Sequence, residues 1–194
     1  MDEPQEGVAV DEEGRPHGAW VARNEQGTIE RRGRFEHGQL EGELLQYDAA
    51  GRVVASIPHR AGKLHGEARY FDGGRLQLSI QYVDGVEDGE KVIYDEKERM
   101  TVKQQFRAGL LHGVSSWFRP DGTLLRTAEY VDGQLEGESV AYDEKGRPIE
   151  RASYRADKLH GPTLRFAADG ITREKVMFEN GKQIGEPQPY GARG

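Results

Sequence analysis

Apolar residues recur at every second position through a series of short segments. Offsets are counted from a recurring glycine: Gly18, Gly42, Gly66, Gly89, Gly113, Gly137, Gly161 and Gly185. Odd offsets then carry Ile29, Val53, Leu76, Met100 and Leu124, followed by Ile57, Ile80, Ala128, Ala152 and Val176. The positions between them hold Arg32, Arg34, Ser79, Gln81, Lys103, Gln105, Arg151, Ser153, Arg155 and Lys175. Period two with one apolar face predicts half-buried antiparallel strands. A shorter segment precedes each of these. Its Val21, Leu45, Val92, Val140 and Leu164 are assigned to the apolar face, with an aromatic column at offset five: Tyr47, Phe71, Tyr94, Phe118, Tyr142, Phe166 and Tyr190. A second aromatic column, Phe35, His59, Tyr82, Phe106, Tyr130, Tyr154 and Phe178, closes the longer strand.

The spacing of the marker glycines is 24 residues at every step except one of 23, where the third unit is a residue short. A period of this length signals a repeat array. Between the two strands of a unit stand turn sequences such as Asp143-Glu144-Lys145-Gly146 and Arg119-Pro120-Asp121-Gly122. Asp and Pro suit the early turn positions, and Gly the late one. After the second aromatic, a Gly-x-Leu-His-Gly-like connection is expected to reverse the chain. Helices are excluded because glycine recurs too often for any helix of useful length. The predicted fold is all-β: an elongated, single-layer antiparallel meander of about seven and a half hairpins, curved and twisted. About sixteen strands at roughly 4.8 Å spacing would give a sheet about 70–80 Å long. The array is placed over residues 14–190, behind an acidic segment 1–13 and before a tail 191–194. Val10-Asp11-Glu12-Glu13-Gly14-Arg15-Pro16 echoes Tyr142-Asp143-Glu144-Lys145-Gly146-Arg147-Pro148, so part of a capping strand is expected from near Val8.

Composition narrows the function. Only 35% of the 194 residues are hydrophobic, which suits units that bury one side against their neighbours. With no cysteine, disulfides, thiol nucleophiles and Cys-based zinc sites are excluded. A net charge of −7 argues against nucleic acid as partner. No apolar run approaches the roughly 18 residues of a membrane span, and Met1-Asp2-Glu3-Pro4-Gln5-Glu6 lacks signal-peptide character. A cytoplasmic location is expected, or a periplasmic one if a signal peptide has been removed.

The units Phe35-x-x-Gly38-Gln39-Leu40-Glu41-Gly42 and Phe106-x-x-Gly109-Leu110-Leu111-His112-Gly113, each followed by an aromatic and a glycine turn, resemble MORN repeats. The bacterial variant form, with an aromatic-x-x-Gly-x-x-His-Gly core, is the more similar. The resemblance covers roughly residues 14–190. It implies a β-hairpin interaction platform that binds a protein partner, and in bacteria an antitoxin or immunity protein acting on a toxin or effector. The alternative it implies is a structural or membrane-peripheral scaffold. The longer spacing after the aromatic and the scarcity of Trp columns depart from the eukaryotic repeat.

Four histidines precede marker glycines in every second unit: His17, His65, His112 and His160. Alternate units lie roughly 20 Å apart at ordinary strand spacing, too far for shared ligation. They are therefore read as turn residues copied with the repeat, and neither a metal nor a cofactor is expected. No Gly-x-Ser-x-Gly, phosphate-loop or His-Glu-x-x-His pattern occurs, so no catalytic residues are assigned. The candidate partner-binding residues are instead those that break the columns. Trp20, Leu44, Tyr70, Ile93 and Trp117 are assigned to the polar face, beside the basic Arg32, Arg34, Lys103, Arg107, Arg151 and Arg155. Such an aromatic and basic stripe suits an acidic partner surface. The aromatic-rich face is the other candidate, since a large bare apolar patch is unusual on a monomer.

Overall fold

The computed structural model describes residues 8–167 and 172–189. Residues 1–7 of the acidic segment, Gly170, Tyr190 and the tail 191–194 lie outside the described residues. The chain divides into two units, one ending at Glu98 and the other starting at Arg99. In the first run β1 (Gly18–Arg23), β2 (Ile29–Glu36), β3 (Gln39–Leu40), β4 (Gly42–Tyr47), β5 (Val53–Arg60), β6 (Lys63–Leu64), β7 (Gly66–Asp72), β8 (Arg75–Val83) and β9 (Val86–Tyr94). The second holds β10 (Met100–Arg107), β11 (Leu110–Leu111), β12 (Gly113–Phe118), β13 (Leu124–Val131), β14 (Gln134–Tyr142), β15 (Pro148–Arg155), β16 (Lys158–Phe166), β17 (Thr172–Glu179) and β18 (Lys182–Pro189). Each unit is an antiparallel meander of hairpins, as the 24-residue period predicts, and the described residues contain no helix.

Two turn types alternate, except at β8, which has the two-residue type at both ends through Gly73-Gly74 and Asp84-Gly85. In the first, Asn24 accepts from the Gly27 amide and donates its own amide to the Thr28 carbonyl, both at 2.9 Å. Its side-chain oxygen also accepts from the Gln26 and Thr28 amides. Asp48 and Asp143 repeat the arrangement, and so does Asp11. The second turn is a two-residue loop with both residues at positive φ, as in His37 (48°) and Gly38 (85°). That is the turn whose twist matches the twist of paired strands.

This second turn corrects the expected chain reversal. The reversal takes place at His37-Gly38 and its equivalents, so Gln39-Leu40 already belongs to the returning strand. The marker glycine does not end a connection. It follows an irregularity inside the strand, where Glu41, His65 or His112 steps out of the pairing and splits β3 from β4, β6 from β7, and β11 from β12. Gly89 shows why the residue is glycine: its φ is +113°, and an added Cβ would sit 2.9 Å from Gln81 Cγ.

A β-bulge near the end of the first strand, in six of the hairpins, corrects the face assignment. Register shifts fall between Ala22 and Arg23, Gln46 and Tyr47, Tyr70 and Phe71, Trp117 and Phe118, Ala141 and Tyr142, and Arg165 and Phe166. One extra residue there reverses the parity counted back from the aromatic. Offsets two and four therefore face the same way as the aromatics. Val21, Leu45, Val140 and Leu164 lie on the opposite, charged face, paired across the sheet with Arg32, Ser56, Arg151 and Lys175. Val92 lies there too, opposite Ser79.

The core of the first unit lies on the aromatic face. Trp20, Leu44, Ala55, Ile57 and Ala68 form it, with Phe35, Leu40, Leu64, Tyr70 and Tyr82 packed around them. Trp20 is only 4% exposed, stands opposite Gly33, and meets Phe35 edge-on at 5.6 Å. Gly33 occupies a slot that holds Ile57 and Ile80 in the next hairpins. A Cβ at Gly33 would stand 3.3 Å from Leu44 Cδ1, in space the indole and its neighbours already fill. The second unit fills the equivalent column with small residues: Ser115, Ser139 and Thr163 opposite Ala128, Ala152 and Val176.

Candidate protein-binding faces

The two faces of the sheet separate the predicted stripe. Trp20, Leu44, Tyr70, Ile93 and Trp117, assigned from sequence to the polar face, all stand on the aromatic face because of the bulge. Trp20 and Leu44 are buried in the core. Tyr70 and Trp117 are half-buried, and Ile93 is 37% exposed. Tyr70, Leu78 and Ile93 are successive cross-strand neighbours. Trp117 lies opposite Arg126, whose guanidinium carbon is 5.6 Å from the ring centre.

The basic candidates remain on the charged face, and the ladder sets them in rows. In the first unit, paired positions run Val21, Arg32, Leu45, Ser56, Arg69, Ser79, Val92 across successive strands. In the second they run Lys103, Ser116, Thr127, Val140, Arg151, Leu164, Lys175. Each row mixes cationic side chains with short polar and aliphatic ones. Arg34 is one step along β2, 3.4 Å from Glu36. Arg151 approaches Glu138 at 3.9 Å. Arg107 and Arg155 are at the turn ends of β10 and β15, and Arg107 pairs with Asp132 at 2.9 Å. Exposed Val114, Leu125 and Ile149 lie on the same face of the second unit.

The turn edge carries a second set of ordered polar contacts. The residue before the marker glycine caps the following turn: His65 Nδ1 accepts from the Asp84 amide and His112 Nδ1 from the Asp132 amide, each at 3.4 Å. Glu41 and Glu136 serve the Ala61 and Ala156 amides in the same way, at 2.8 Å. The alternation of His and acid thus fills one structural role with two acceptor types. Asp84 joins Arg60 at 3.1 Å and His65 at 3.2 Å, and Asp132 joins Arg107 and His112. The Arg60 guanidinium holds the Asp84 carboxyl below the usual range, and Arg107 does so for Asp132. At Asp48 and Asp143 the main lowering influence is a backbone amide, from Arg52 and Arg147 respectively.

One grouping could not be seen from the every-second-unit spacing of the histidines. The N-terminal turn and the first two-residue turn bring Asp11, His17 and His37 together, with one ligand-capable atom from each lying within 4.8 Å of the others. His37 stands outside the repeated histidine column, at a turn position where other units carry Ala, Asp or Asn. Elsewhere, Met100, Phe118 and Pro120 line a shallow hollow of about 270 Å³ beside Arg99 and Asp121. No nucleophile and base converge in it.

Residues 111–132 match the family described as MORN repeat variant. No curated protein matches the chain. The matched segment runs from the end of β11 through β12 and β13 to the following turn, one hairpin of the array. Hairpins with the same bulge and the same pair of turns precede and follow it. Residues 111–132 thus carry a MORN repeat of the variant type within an array of like hairpins, and that repeat suggests a protein- or lipid-binding module.

Proposed function

We propose that this protein binds a protein partner through the charged face of its sheet, and that it acts as a bacterial antitoxin or immunity protein that occludes a toxin. The reading rests on the charged-face rows, in which Arg32 and Arg69 of the first unit, and Lys103, Arg151 and Lys175 of the second, are held in line by the ladder among aliphatic and short polar neighbours. A hydrogen-bonded sheet presents these groups with little conformational entropy left to lose, so ordering them on binding costs little. Cationic spacing on a chain of net charge −7 favours an acidic partner surface, with rim charges setting the association rate. The role is one of binding rather than catalysis.

Affinity capture from the native host, followed by mass spectrometry, is the test. One stoichiometric protein whose toxicity is neutralised on co-expression supports the reading. The triple variant Arg34→Glu, Arg151→Glu, Arg155→Glu is expected to weaken that complex at least about tenfold. Unchanged affinity in the triple variant overturns the choice of face, and failure to protect cells overturns the antitoxin role. The same basic rows suit a membrane-peripheral scaffold, for which flotation with anionic vesicles is the positive result.

A further inference from the structure

Three side chains, two of them from turns, converge at the start of the first unit. Asp11 belongs to the turn before β1, His17 to the residue preceding the marker glycine, and His37 to the turn between β2 and β3. Asp11 and His17 are partly buried, whereas His37 is 64% exposed at its side chain. Asp11 uses Oδ1 to accept the Glu13 and Arg15 amides, which fixes the carboxylate with Oδ2 facing Arg15 and His37. Oδ2 lies 3.0 Å from His37 Nδ1, and the two imidazole rings are 5.2 Å apart.

That Nδ1 sits in a mismatched environment. Arg15 Nη2, a donor only, is 3.0 Å from it, and the Asp11 carboxylate, an acceptor only, is equally near. A neutral nitrogen acceptor suits the arginine and opposes the carboxylate, whereas a protonated nitrogen does the reverse. A cation in the middle would satisfy the imidazole lone pair and the carboxylate together. Arg15 already places positive charge there, 2.9 Å from Oδ2, and its side chain also pairs with the exposed Glu13, toward which it can withdraw.

We propose that Asp11, His17 and His37 form a binding site for a divalent transition-metal ion of the zinc class. Two imidazole nitrogens and one carboxylate oxygen are the ligand set such ions take, with a fourth position left to water. Tetrahedral bonds of about 2.0–2.1 Å put ligand atoms about 3.4 Å apart. The present separations, all within 4.8 Å, reach that by side-chain rotation alone, mostly of the exposed His37. Asp11 brings its own amide hydrogen bonds as the outer shell that orients a ligand. The consequence for the fold is local: the ion would fasten the turn before β1 to the turn after β2, clamping the first hairpin.

Zinc titrated into the full chain by calorimetry, with cobalt as a spectroscopic probe, tests this. The expected result is one ion per chain and a raised Tm. Asp11→Asn keeps the turn-capping oxygen, and His37→Asn places at that position the residue that Asn180 supplies in the last hairpin. Each should weaken binding at least about tenfold with an unchanged circular dichroism spectrum. Arg15→Gln, which removes the competing cation, should tighten it. His160→Gln, outside the cluster, should leave it unaltered. Failure of both the wild type and Arg15→Gln to bind zinc overturns the site, as does binding that Asp11→Asn and His37→Asn leave intact.

Discussion

Trp20 shows how one residue sets the packing of its neighbours. Its indole fills the slot opposite Gly33, where the next hairpin places Ile57, so the pair exchanges volume across the ladder. Trp20→Ala leaves a cavity with no side chain able to collapse into it. A loss of about 3–5 kcal/mol is expected in urea denaturation, and a loss under about 1 kcal/mol would contradict the packing described. Ser115 predicts the opposite sign. Its hydroxyl is buried with no protein hydrogen-bond partner, opposite Ala128. Because an unpaired buried hydroxyl costs about 1–3 kcal/mol, Ser115→Ala should stabilise the second unit, read as a higher denaturation midpoint. Gly89→Ala should cost about 1–3 kcal/mol, since its backbone conformation is strained for any residue with a side chain.

At the scale of the hairpin, the asparagine and aspartate turns link stability to pH. Asp48 and Asp143 accept backbone amides through one oxygen and meet Arg52 and Arg147 through the other, at 2.8 and 2.9 Å. Their carboxyl pKa values are held below the ordinary range, chiefly by the amides of Arg52 and Arg147. A depressed folded-state value contributes stability that is complete above the unfolded value of about 3.9. That contribution is lost as pH falls through the folded value. The acid limb of the stability curve should therefore drop below about pH 4. A double Asp48→Asn, Asp143→Asn variant, which keeps the amide contacts, should show a shallower limb. An equally steep limb would place the acid sensitivity elsewhere. The bulge belongs to this scale too, because it alone decides which side chains of the short strand join the core.

In each unit as a whole, pairing runs between strands that follow one another in the chain. Stability in such an array is close to a sum of hairpin and nearest-neighbour terms. A chain ending at Phe166 should accordingly keep β10 through β16 folded, with hydrogen-exchange protection lost mainly in β16, which then becomes the edge. Global loss of protection would show longer-range dependence. The charged-face rows are properties of this scale, since Lys103, Arg151 and Lys175 become one surface only when successive ladders align them.

The hairpin repeat, its turn chemistry and its likeness to the MORN repeat variant were legible in the chain, because a 24-residue period and a period of two report directly on backbone geometry. The position of the chain reversal and the inward-facing residues of each short strand were not. A bulge inserts a residue without a distinctive signature, and Trp20, Leu44, Tyr70, Ile93 and Trp117 changed face with it. The grouping of Asp11, His17 and His37 was equally hidden. The turn before β1 and the turn after β2 meet in space, whereas the spacing of repeated histidines reports only on alternate units. Periodicity determined the elements; register across the ladder decided which side chains meet.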